Sequence, residues 1–255
     1  MKIRSITAPN PGPFTLDGTR TWLLGESAVI DPGPAVPSHV EAVLAALPQL
    51  ATIFITHRHG DHAPAAVPLK SASGARIVAP VGVLSDDDVD ERIRGGEQFA
   101  VEGEILEVIA TPGHTREHVC FLTSDGELFT GDTVLGTGTT AIFPPDGDIS
   151  DYLNSLRLLR SHSPKRIHPA HGPDRDDAVE LLDEYIRHRL AREAQVFDLV
   201  RRGDGATISD LRQAIYPELV SGVIPAAEAQ LLAHLIKLER EGRIARRGET
   251  FSPLR

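Results

Sequence analysis

The sequence predicts a layered α/β (α+β) fold with a small helical domain at its C-terminal end. Three features of the chain support this prediction. Strand-like and helix-like segments alternate in the first third of the 255 residues, strand-like segments dominate the second third, and helical periodicity dominates after residue 176. Such alternation is typical of helices that cover the faces of sheets. We therefore expect a first domain over residues 1–202 and a second domain over residues 203–255.

The first third of the chain is expected to alternate strands with helices. The predicted elements are strands over 21–25 and 27–31, a helix over 36–47, a strand over 51–56, a helix over 65–73 and a strand over 76–79. Pro32 and Gly33 end the second strand, and Ser38 is a candidate N-cap of the first helix. The strand over 51–56 is rich in β-branched residues and leads directly into His57, so this histidine should lie at a strand end.

The second third is expected to consist mostly of strands. The predicted elements are strands over 104–110, 118–123 and 127–130, a helix over 151–160 and a strand over 166–168. Asp125-Gly126 between two of these strands indicates a hairpin, because both residues tolerate the positive φ angles of a tight turn.

The C-terminal part is expected to be helical with a terminal hairpin. The predicted elements are a long helix over 176–202, a stop at Gly203-Asp204-Gly205, helices over 207–215 and 226–241, and two short strands around Gly248. This order is typical of a winged-helix-like domain. Its helices carry apolar stripes, such as Leu211 with Ile215. About 50 residues bury too little surface for reliable stability alone, so we expect residues 205–255 to pack on the first domain.

The composition limits the classes of protein that fit this chain. The net charge of −10 repels polyanions at long range and counts against non-specific nucleic-acid binding. The single cysteine, Cys120, lies in an apolar run, which predicts a buried small side chain rather than a nucleophile. Residues 1–14 lack the apolar run that is typical of a signal peptide, and no stretch of the sequence approaches membrane-spanning length in its apolar residues. We expect a soluble cytoplasmic protein without a membrane partner, and the sequence predicts no oligomeric state.

The segment from His57 to His62 holds the strongest chemical signal. His57, His59, Asp61 and His62 place four potential metal ligands within six residues. Imidazole and carboxylate are ligands that zinc accepts where thiolates are lacking. A loop after a strand can aim alternate side chains at one point, so His57 and His59 suit one ion, and Asp61 and His62 suit a second. Further ligands must come from other parts of the chain.

The remaining ligands are expected at the ends of later strands. His114, Asp132 and His171 each lie beside a glycine, and small neighbours allow tight turns close to a metal. The alternative is a histidine-rich surface loop with unrelated turns, which the position of all three segments at strand ends disfavours. Seven ligands serve two ions, so we expect two zinc ions per chain, with iron or manganese as substitutes that the same ligands accept.

The other histidines fall into two groups. We expect four of them to be solvated on helices or loops: His39, His162, His188 and His234. For His118 and His168, which we expect near the ligands, two interpretations stay open. Each either orients a ligand or is a hydrogen-bonded structural histidine.

The pattern His-x-His-x-Asp-His over residues 57–62 closely resembles the motif of the metallo-β-lactamase superfamily. The resemblance implies an αββα sandwich with the metals at one edge. It also implies the following ligand sets: His57, His59 and His114 for one zinc, Asp61, His62 and His171 for the other, and Asp132 as a bridge. Asp31, at the end of its strand, resembles a carboxylate of the family that does not bind the metal itself but lies next to a metal ligand.

Within the superfamily, the chain is most similar to the β-lactamase-like protein 2 group. The similarity rests on residues 131–136, 139–140, 151–153, 168–173 and 185–189 and on the terminal helices, so it covers nearly the whole chain. It implies a winged-helix-like C-terminal domain. Ala63-Pro64 departs from the glycines that many relatives carry after the motif, which alters the expected helix start but removes no ligand.

The expected centre indicates a metal-dependent hydrolase. Two zinc ions lower the pKa of a shared water, so that hydroxide attacks a carbonyl or phosphorus at neutral pH. Asp61 is expected to be catalytic as well as a ligand, because it is the nearest carboxylate that can orient the water or accept its proton. The loop over 136–140 either offers N–H groups and hydroxyls to the substrate or is a surface loop; both interpretations stay open.

Three functions stay open. The first is hydrolysis of a small ester, thioester or lactone, which the acidic charge favours. The second, implied by the resemblance, is a metal-dependent endoribonuclease that cleaves single-stranded RNA. The third is a protein that binds nucleic acid or a partner through its C-terminal domain. Five basic residues bear on the last two, although a solvated helix end explains them as well: Lys237, Arg240, Arg243, Arg246 and Arg247.

Overall fold

The computed structural model describes residues 1–203 and 205–254. Its first sheet contains six strands in the order β1 (Ile3–Thr7), β2 (Arg20–Leu24), β3 (Ala28–Ile30), β4 (Thr52–Phe54), β5 (Arg76–Pro80) and β6 (Glu91–Ile93). The pairs β1–β2 and β2–β3 are antiparallel, and the pairs from β3 to β6 are parallel. Because parallel strands end at the same edge of a sheet, β3 and β4 deliver the residues that follow them to one place.

The second sheet contains five strands. They are β7 (Gln98–Val101), β8 (Glu104–Ala110), β9 (Val119–Thr123), β10 (Glu127–Gly131) and β11 (Arg166–Pro169), arranged in the order β11-β10-β9-β8-β7. Neighbours are antiparallel except β10 and β11, which are parallel. The segments after β10 and β11 therefore also leave the sheet at a common edge.

Three apolar cores show how the layers stack. Helices α1 (Pro37–Ala46) and α2 (Ala66–Ser73) share one core with the outer face of the first sheet. Helices α3 (Ile149–Ser161) and α4 (Ala178–Arg202) share another with the outer face of the second sheet. The third core lies between the sheets, where Phe54 of the first meets Phe121 of the second with ring centroids 5.4 Å apart. This arrangement is an αββα sandwich, which confirms the predicted fold class.

The C-terminal elements form a separate core of their own. These elements are β12 (Ala206–Thr207), α5 (Ile208–Ile215), α6 (Ile224–Arg240), β13 (Ile244–Arg247) and β14 (Thr250–Pro253), with a small sheet in the order β12-β14-β13. Helix α5 begins with a capping box, because Thr207 and Asp210 accept from each other's backbone N–H. Val196 and Val200 of α4 belong to this core, whereas Tyr185 of the same helix belongs to the sandwich. One helix therefore joins the two parts.

The helical tail packs on the sandwich, as the sequence predicted. Ala233 of α6 is buried in the core of α3 and α4. Asp204, in the predicted stop after α4, and Arg255, at the end of the tail, lie outside the described residues. None of the helices in the described chain combines the length and the apolar character needed to cross a membrane.

Two details differ from the sequence prediction. Strands β1, β6, β7 and β12 were not predicted; each is an edge strand, where one side of the strand has no partner and the apolar pattern is weak. Ser38 is not the N-cap of α1, which was a wrong prediction. Val36 takes that position because Pro37, whose fixed φ suits the first helical residue, begins the helix one residue before Ser38.

Candidate metal centre

The seven predicted ligands meet at one edge of the sandwich. Residues 57–62 follow β4, and His114, Asp132 and His171 follow β8, β10 and β11. Their donor atoms form two groups, in each of which all atoms lie within 4.8 Å of one another. The first group is His57, His59, His114 and Asp132, and the second is Asp61, His62 and His171. Each group could hold a metal ion.

The first group is built from three converging imidazoles. Nε2 of His57 lies 2.9 Å from Nδ1 of His59, which lies 3.0 Å from Nε2 of His114. Nε2 of His114 is 3.4 Å from Oδ2 of Asp132. Three ring nitrogens and a carboxylate oxygen thus face one small volume, which is a donor set that zinc accepts.

The second group meets the first at Asp132. Oδ2 of Asp61 lies 3.3 Å from Nε2 of both His62 and His171. Oδ1 of Asp132 lies 3.4 Å from Nε2 of His62 and 3.2 Å from Nε2 of His171. The two oxygens of Asp132 therefore face different groups, which is the geometry of a carboxylate that could bridge two ions.

Hydrogen bonds from behind orient the imidazoles. Nδ1 of His114 donates to the carbonyl oxygen of Ala141 over 2.7 Å. Nδ1 of His62 lies 2.9 Å from Oδ2 of Asp31. The outer nitrogen of each of these two rings is engaged in this way, so Nε2 is the nitrogen that faces the centre.

Asp31 occupies the supporting position that the resemblance implied. Its φ of +51° lies in the left-handed region, which is uncommon for a residue other than glycine and is often found at functional sites. Oδ1 accepts a hydrogen bond of 2.8 Å from the backbone N–H of Thr56, and Oδ2 faces His62. The carboxylate thus connects the ends of β3 and β4 behind the ligands.

A glycine makes room for Asp132, the predicted bridging carboxylate. Gly131, directly before Asp132, has a φ of +47°, and a Cβ there would lie 2.6 Å from Oγ1 of Thr56 and 2.8 Å from Nε2 of His118. Any side chain would clash with both groups. The sequence signal Gly131-Asp132 therefore reflects a close approach of backbones.

The buried charges at the centre favour a cation. Burial opposes ionisation of Asp132, yet the charge of His62 and the contact with His171 hold its pKa well below the usual value. Burial also opposes charge on His171, but Asp132 and Asp61 raise its pKa to about 9. Surroundings that favour a proton on His171 also favour a metal cation between the same atoms.

Within the part of the chain that the structure describes, two polar atoms at the centre are buried without a hydrogen-bond partner. Nε2 of His62 and Oδ1 of Asp132 have no hydrogen-bond partner within residues 1–203 and 205–254. Buried polar atoms are usually satisfied, so such atoms point to something that binds between them. The donor types and their convergence fit a metal ion.

The centre opens into a cavity of about 350 Å³. One side is formed by predicted ligands: His59, Asp61, His114, Asp132 and His171. The other side is formed by two loops: residues 13–16, and residues 135, 137–141 and 143. The loop over 136–140, for which two interpretations stood open, thus contributes to the cavity wall. Across the described chain, the lining residues include neither lysine nor arginine.

The four histidines predicted to be solvated and the single cysteine differ in how well burial matches the prediction. His39 and His234 are 2% and 0% exposed, so the prediction that they are solvated was wrong. Nε2 of His39 instead lies 2.9 Å from Oγ1 of Thr21, and His234 is one of the buried residues of α6. His162 and His188 are exposed as predicted. Cys120 is fully buried as predicted, and burial raises the pKa of its thiol to about 12, which disfavours a nucleophilic role.

Of the two histidines left open, only His118 contacts a predicted ligand. Its Nε2 accepts a hydrogen bond from the backbone N–H of Asp132. His168 lies 2.6 Å from Oε2 of Glu127 and stacks on Phe129, so it is a structural histidine of the sheet.

Sequence reasoning missed Thr19 at the site. Its hydroxyl donates to Oδ2 of Asp61 over 2.9 Å, across 42 residues of chain. A lone threonine in a loop carries no spacing signal, so only the fold reveals this contact.

Comparison with known proteins identifies the family. The Metallo-beta-lactamase superfamily matches residues 15–171, and the Beta-lactamase associated winged helix domain matches residues 207–252. The chain is 34% identical over 255 residues to the Beta-lactamase-like protein 2 homolog of Caenorhabditis elegans, covering 94% of this chain and 85% of that protein. It is 32% identical over 262 residues to the Atrochrysone carboxyl ACP thioesterase of Aspergillus chevalieri, covering 96% of this chain and 83% of that protein.

A solved structure shares the whole fold. A Beta-lactamase domain protein from Burkholderia ambifaria has a TM-score of 0.86 at 20% identity, covering 99% of this chain and 91% of that one. Together with the sequence matches, this confirms the predicted superfamily, the similarity to β-lactamase-like protein 2 and the C-terminal winged helix. The chain belongs to the metallo-β-lactamase superfamily and carries the winged-helix domain associated with it.

Proposed function

We propose that this chain is a di-zinc hydrolase that cleaves a small ester, thioester or lactone with an apolar acyl group. The observation that carries the proposal is the position of the two predicted ligand groups at the wall of a largely apolar cavity whose lining, within the described chain, holds no lysine or arginine. Superfamily membership makes hydrolysis the expected class of reaction.

The residues present fit two zinc ions. His57, His59 and His114 would hold one ion and Asp61, His62 and His171 the other, with Asp132 between the two groups. Nitrogen and carboxylate donors without thiolate suit zinc and would also accept iron or manganese. When bound, two such ions supply Lewis acidity toward water and toward the substrate carbonyl.

Asp61 is the proposed catalytic carboxylate. Asp61 lines the cavity. Its Oδ2 accepts a hydrogen bond of 2.9 Å from the hydroxyl of Thr19 and faces Nε2 of His62 and of His171. The charge of His62 outweighs the effect of burial and lowers the pKa of Asp61, so the side chain is an anion. An anion fixed by Thr19 at the cavity wall can orient an attacking water and accept its proton.

The cavity mouth favours an apolar acyl group. Phe14, Leu16 and Phe143 are 58%, 37% and 36% exposed, and the rings of Phe14 and Phe143 meet edge to face with centroids 6.3 Å apart. Large apolar side chains exposed together at a cavity are typical of ligand sites. The relative named as a thioesterase supports a thioester among the candidate substrates.

The observations favour single-stranded RNA less as a substrate. Lys237 and Arg243 pair with Glu193 at 2.6 and 3.0 Å, and Arg240 pairs with Asp148. These pairs reduce the positive charge that the predicted basic cluster offers to phosphates. Independent binding of nucleic acid by the C-terminal domain is disfavoured for the same reason.

The proposed compartment is a reducing one, such as the cytoplasm. The single cysteine, Cys120, is a buried free thiol, which fits such a compartment.

The test compares two substrate classes on zinc-loaded protein. Decanoyl-N-acetylcysteamine supplies a neutral apolar thioester, and a labelled single-stranded oligoribonucleotide supplies the alternative. We expect thiol release that Asp61→Asn abolishes and that Asp87→Asn, on an exposed loop residue, leaves intact. If the protein cleaved only the oligoribonucleotide, with the same dependence on Asp61, the proposal of an acyl substrate would be wrong and RNA would be the substrate class.

A further inference from the structure

One peptide group connects the winged-helix domain to a predicted metal ligand. The carbonyl oxygen of Ala141 accepts the Nδ1–H of His114 at 2.7 Å. The N–H on the other side of the same peptide bond, that of Ile142, donates to Oε1 of Gln230 at 2.8 Å. Gln230 lies on α6, so a chain of two hydrogen bonds runs from the C-terminal domain to the imidazole.

The loop that contains this peptide is also held from α4. The guanidinium of Arg189 donates to the carbonyl oxygen of Thr140, and the residue is only 2% exposed. It lies 5.2 Å from the ring of Tyr152, whose hydroxyl donates to the carbonyl oxygen of Thr133 at 2.6 Å. Ile142 itself is fully buried. The peptide between Ala141 and Ile142 therefore has little freedom to move away from His114 if Gln230 stays in place.

Hydrogen bonds on both ends of one peptide group strengthen each other. When Gln230 accepts the N–H of Ile142, the peptide is polarised and its carbonyl oxygen becomes a better acceptor. A better acceptor holds the Nδ1–H of His114 more firmly and makes Nε2 a more basic donor toward the centre. The affected imidazole, His114, belongs to the first group. Within residues 1–203 and 205–254, the other imidazoles of that group, His57 and His59, form no hydrogen bond with α6.

We propose that Gln230 is a positioning residue that sets, through the Ala141–Ile142 peptide, how tightly the first group holds its ion. This inference rests on the proposed metal centre. It gives the winged-helix domain a role in the chemistry of the sandwich that requires no contact with nucleic acid. Loss of the acceptor at position 230 should weaken the ion of His57, His59 and His114 and spare the ion of Asp61, His62 and His171.

The test is a zinc titration followed on the imidazole 15N resonances, which report the two groups separately. Gln230→Met keeps the length of the side chain and removes the acceptor. Gln195→Met makes the same change on the exposed face of α4 and is the matched control. We expect zinc affinity at the first group to fall about tenfold in Gln230→Met. The second group should keep its affinity, and Gln195→Met should match the wild type at both.

A second variant keeps the inference testable if Gln230→Met unfolds. Gln230→Glu retains an acceptor oxygen and makes it stronger, because a charged acceptor shortens the hydrogen bond. We expect the amide proton of Ile142 and the Nδ1 proton of His114 both to shift downfield. A shift at Ile142 with no shift at His114 would overturn the relay, as would unchanged zinc affinity at the first group in folded Gln230→Met. If zinc caused no change in the imidazole 15N resonances of the wild-type protein, the proposed metal centre would be wrong, and this inference would fail with it.

Discussion

The backbone N–H of Asp132 donates a hydrogen bond of 3.2 Å to Nε2 of His118. The other nitrogen, Nδ1, lies 2.9 Å from the hydroxyl of Thr111, and the ring is 1% exposed. Burial holds the pKa of His118 well below its usual value, so its Nε2 stays a neutral acceptor. His118 therefore fixes the backbone of the carboxylate that faces both ligand groups.

We predict that His118→Leu weakens the centre without removing a ligand. The variant leaves the N–H of Asp132 buried without its acceptor, which should lower the free energy of unfolding of the metal-free protein by about 1–3 kcal/mol. Zinc affinity should fall at both groups, because Asp132 faces both. Urea unfolding and zinc titration check this, with the exposed His162→Leu as control. Wild-type affinity at both groups would contradict the role given to His118.

Asp61→Ala and Asp132→Ala should separate catalysis from metal binding. Asp61 belongs to the second group, where its Oδ2 lies beside His62 and His171. Asp61→Ala removes the proposed catalytic carboxylate, so it should abolish turnover while the first ion is retained and the fold persists. Asp132 faces both groups, so Asp132→Ala should reduce zinc content at both. Elemental analysis and thioester hydrolysis check the pair, with Asp87→Ala as control. Turnover by Asp61→Ala at the wild-type rate would exclude Asp61 as the catalytic carboxylate.

His234 should make the protein sensitive to acid. Burial, reinforced by the charge of Arg189, lowers the pKa of His234 to about 3 in the folded chain. The unfolded chain therefore takes up a proton first as the pH falls below about 6.5, which favours unfolding. Between pH 7 and pH 5, this effect should lower the free energy of unfolding of the wild type by an amount on the order of 1–2 kcal/mol, and His234→Leu should not show this decrease.

Urea unfolding of the metal-free protein between pH 7 and pH 5 measures this difference. His162→Leu, on an exposed residue, should follow the wild type. Parallel pH dependence in wild type and His234→Leu would mean that folding does not lower the pKa of His234, and would contradict this prediction.

The aromatic pair at the cavity mouth should select for apolar acyl groups. Phe14→Ala and Phe143→Ala each remove part of the exposed apolar surface at the cavity. We expect kcat/KM for a decanoyl thioester to fall about tenfold, and that for an acetyl thioester to change little, because the lost energy scales with buried apolar area. Leu158→Ala, exposed on α3 outside the cavity lining, is the control. Equal losses on both thioesters would contradict selection by acyl length.

The fold was predictable where one pattern dominates a segment. The β-branched run before His57, the Asp125-Gly126 hairpin and the apolar stripes of the C-terminal helices all correspond to observed elements. Edge strands such as β1 were missed because one of their sides has no partner strand. His39 and His234 were predicted as solvated because the sequence does not show which face of a helix will be covered. The domain boundary predicted after Arg202 stays a prediction, because α4 contributes to both cores.

The candidate site was predictable where ligands follow strands. Residues 57–62 gave a compact pattern, and glycine beside His114 and Asp132 marked close approach of the backbone. Contacts across long stretches of chain were not predictable. Thr19 reaches Asp61 from a loop, and Gln230 reaches Ile142 from another domain, so neither leaves a local pattern in the sequence.

The zinc content of purified protein, measured before and after chelation together with thioester hydrolysis, tests the central claim most directly. We predict two zinc ions per chain, because two donor groups share Asp132 at one edge of the sandwich. Hydrolysis of the decanoyl thioester should disappear on chelation and return as zinc is restored to two equivalents. Protein that binds no transition metal, or that hydrolyses the thioester equally well after chelation, would contradict the account.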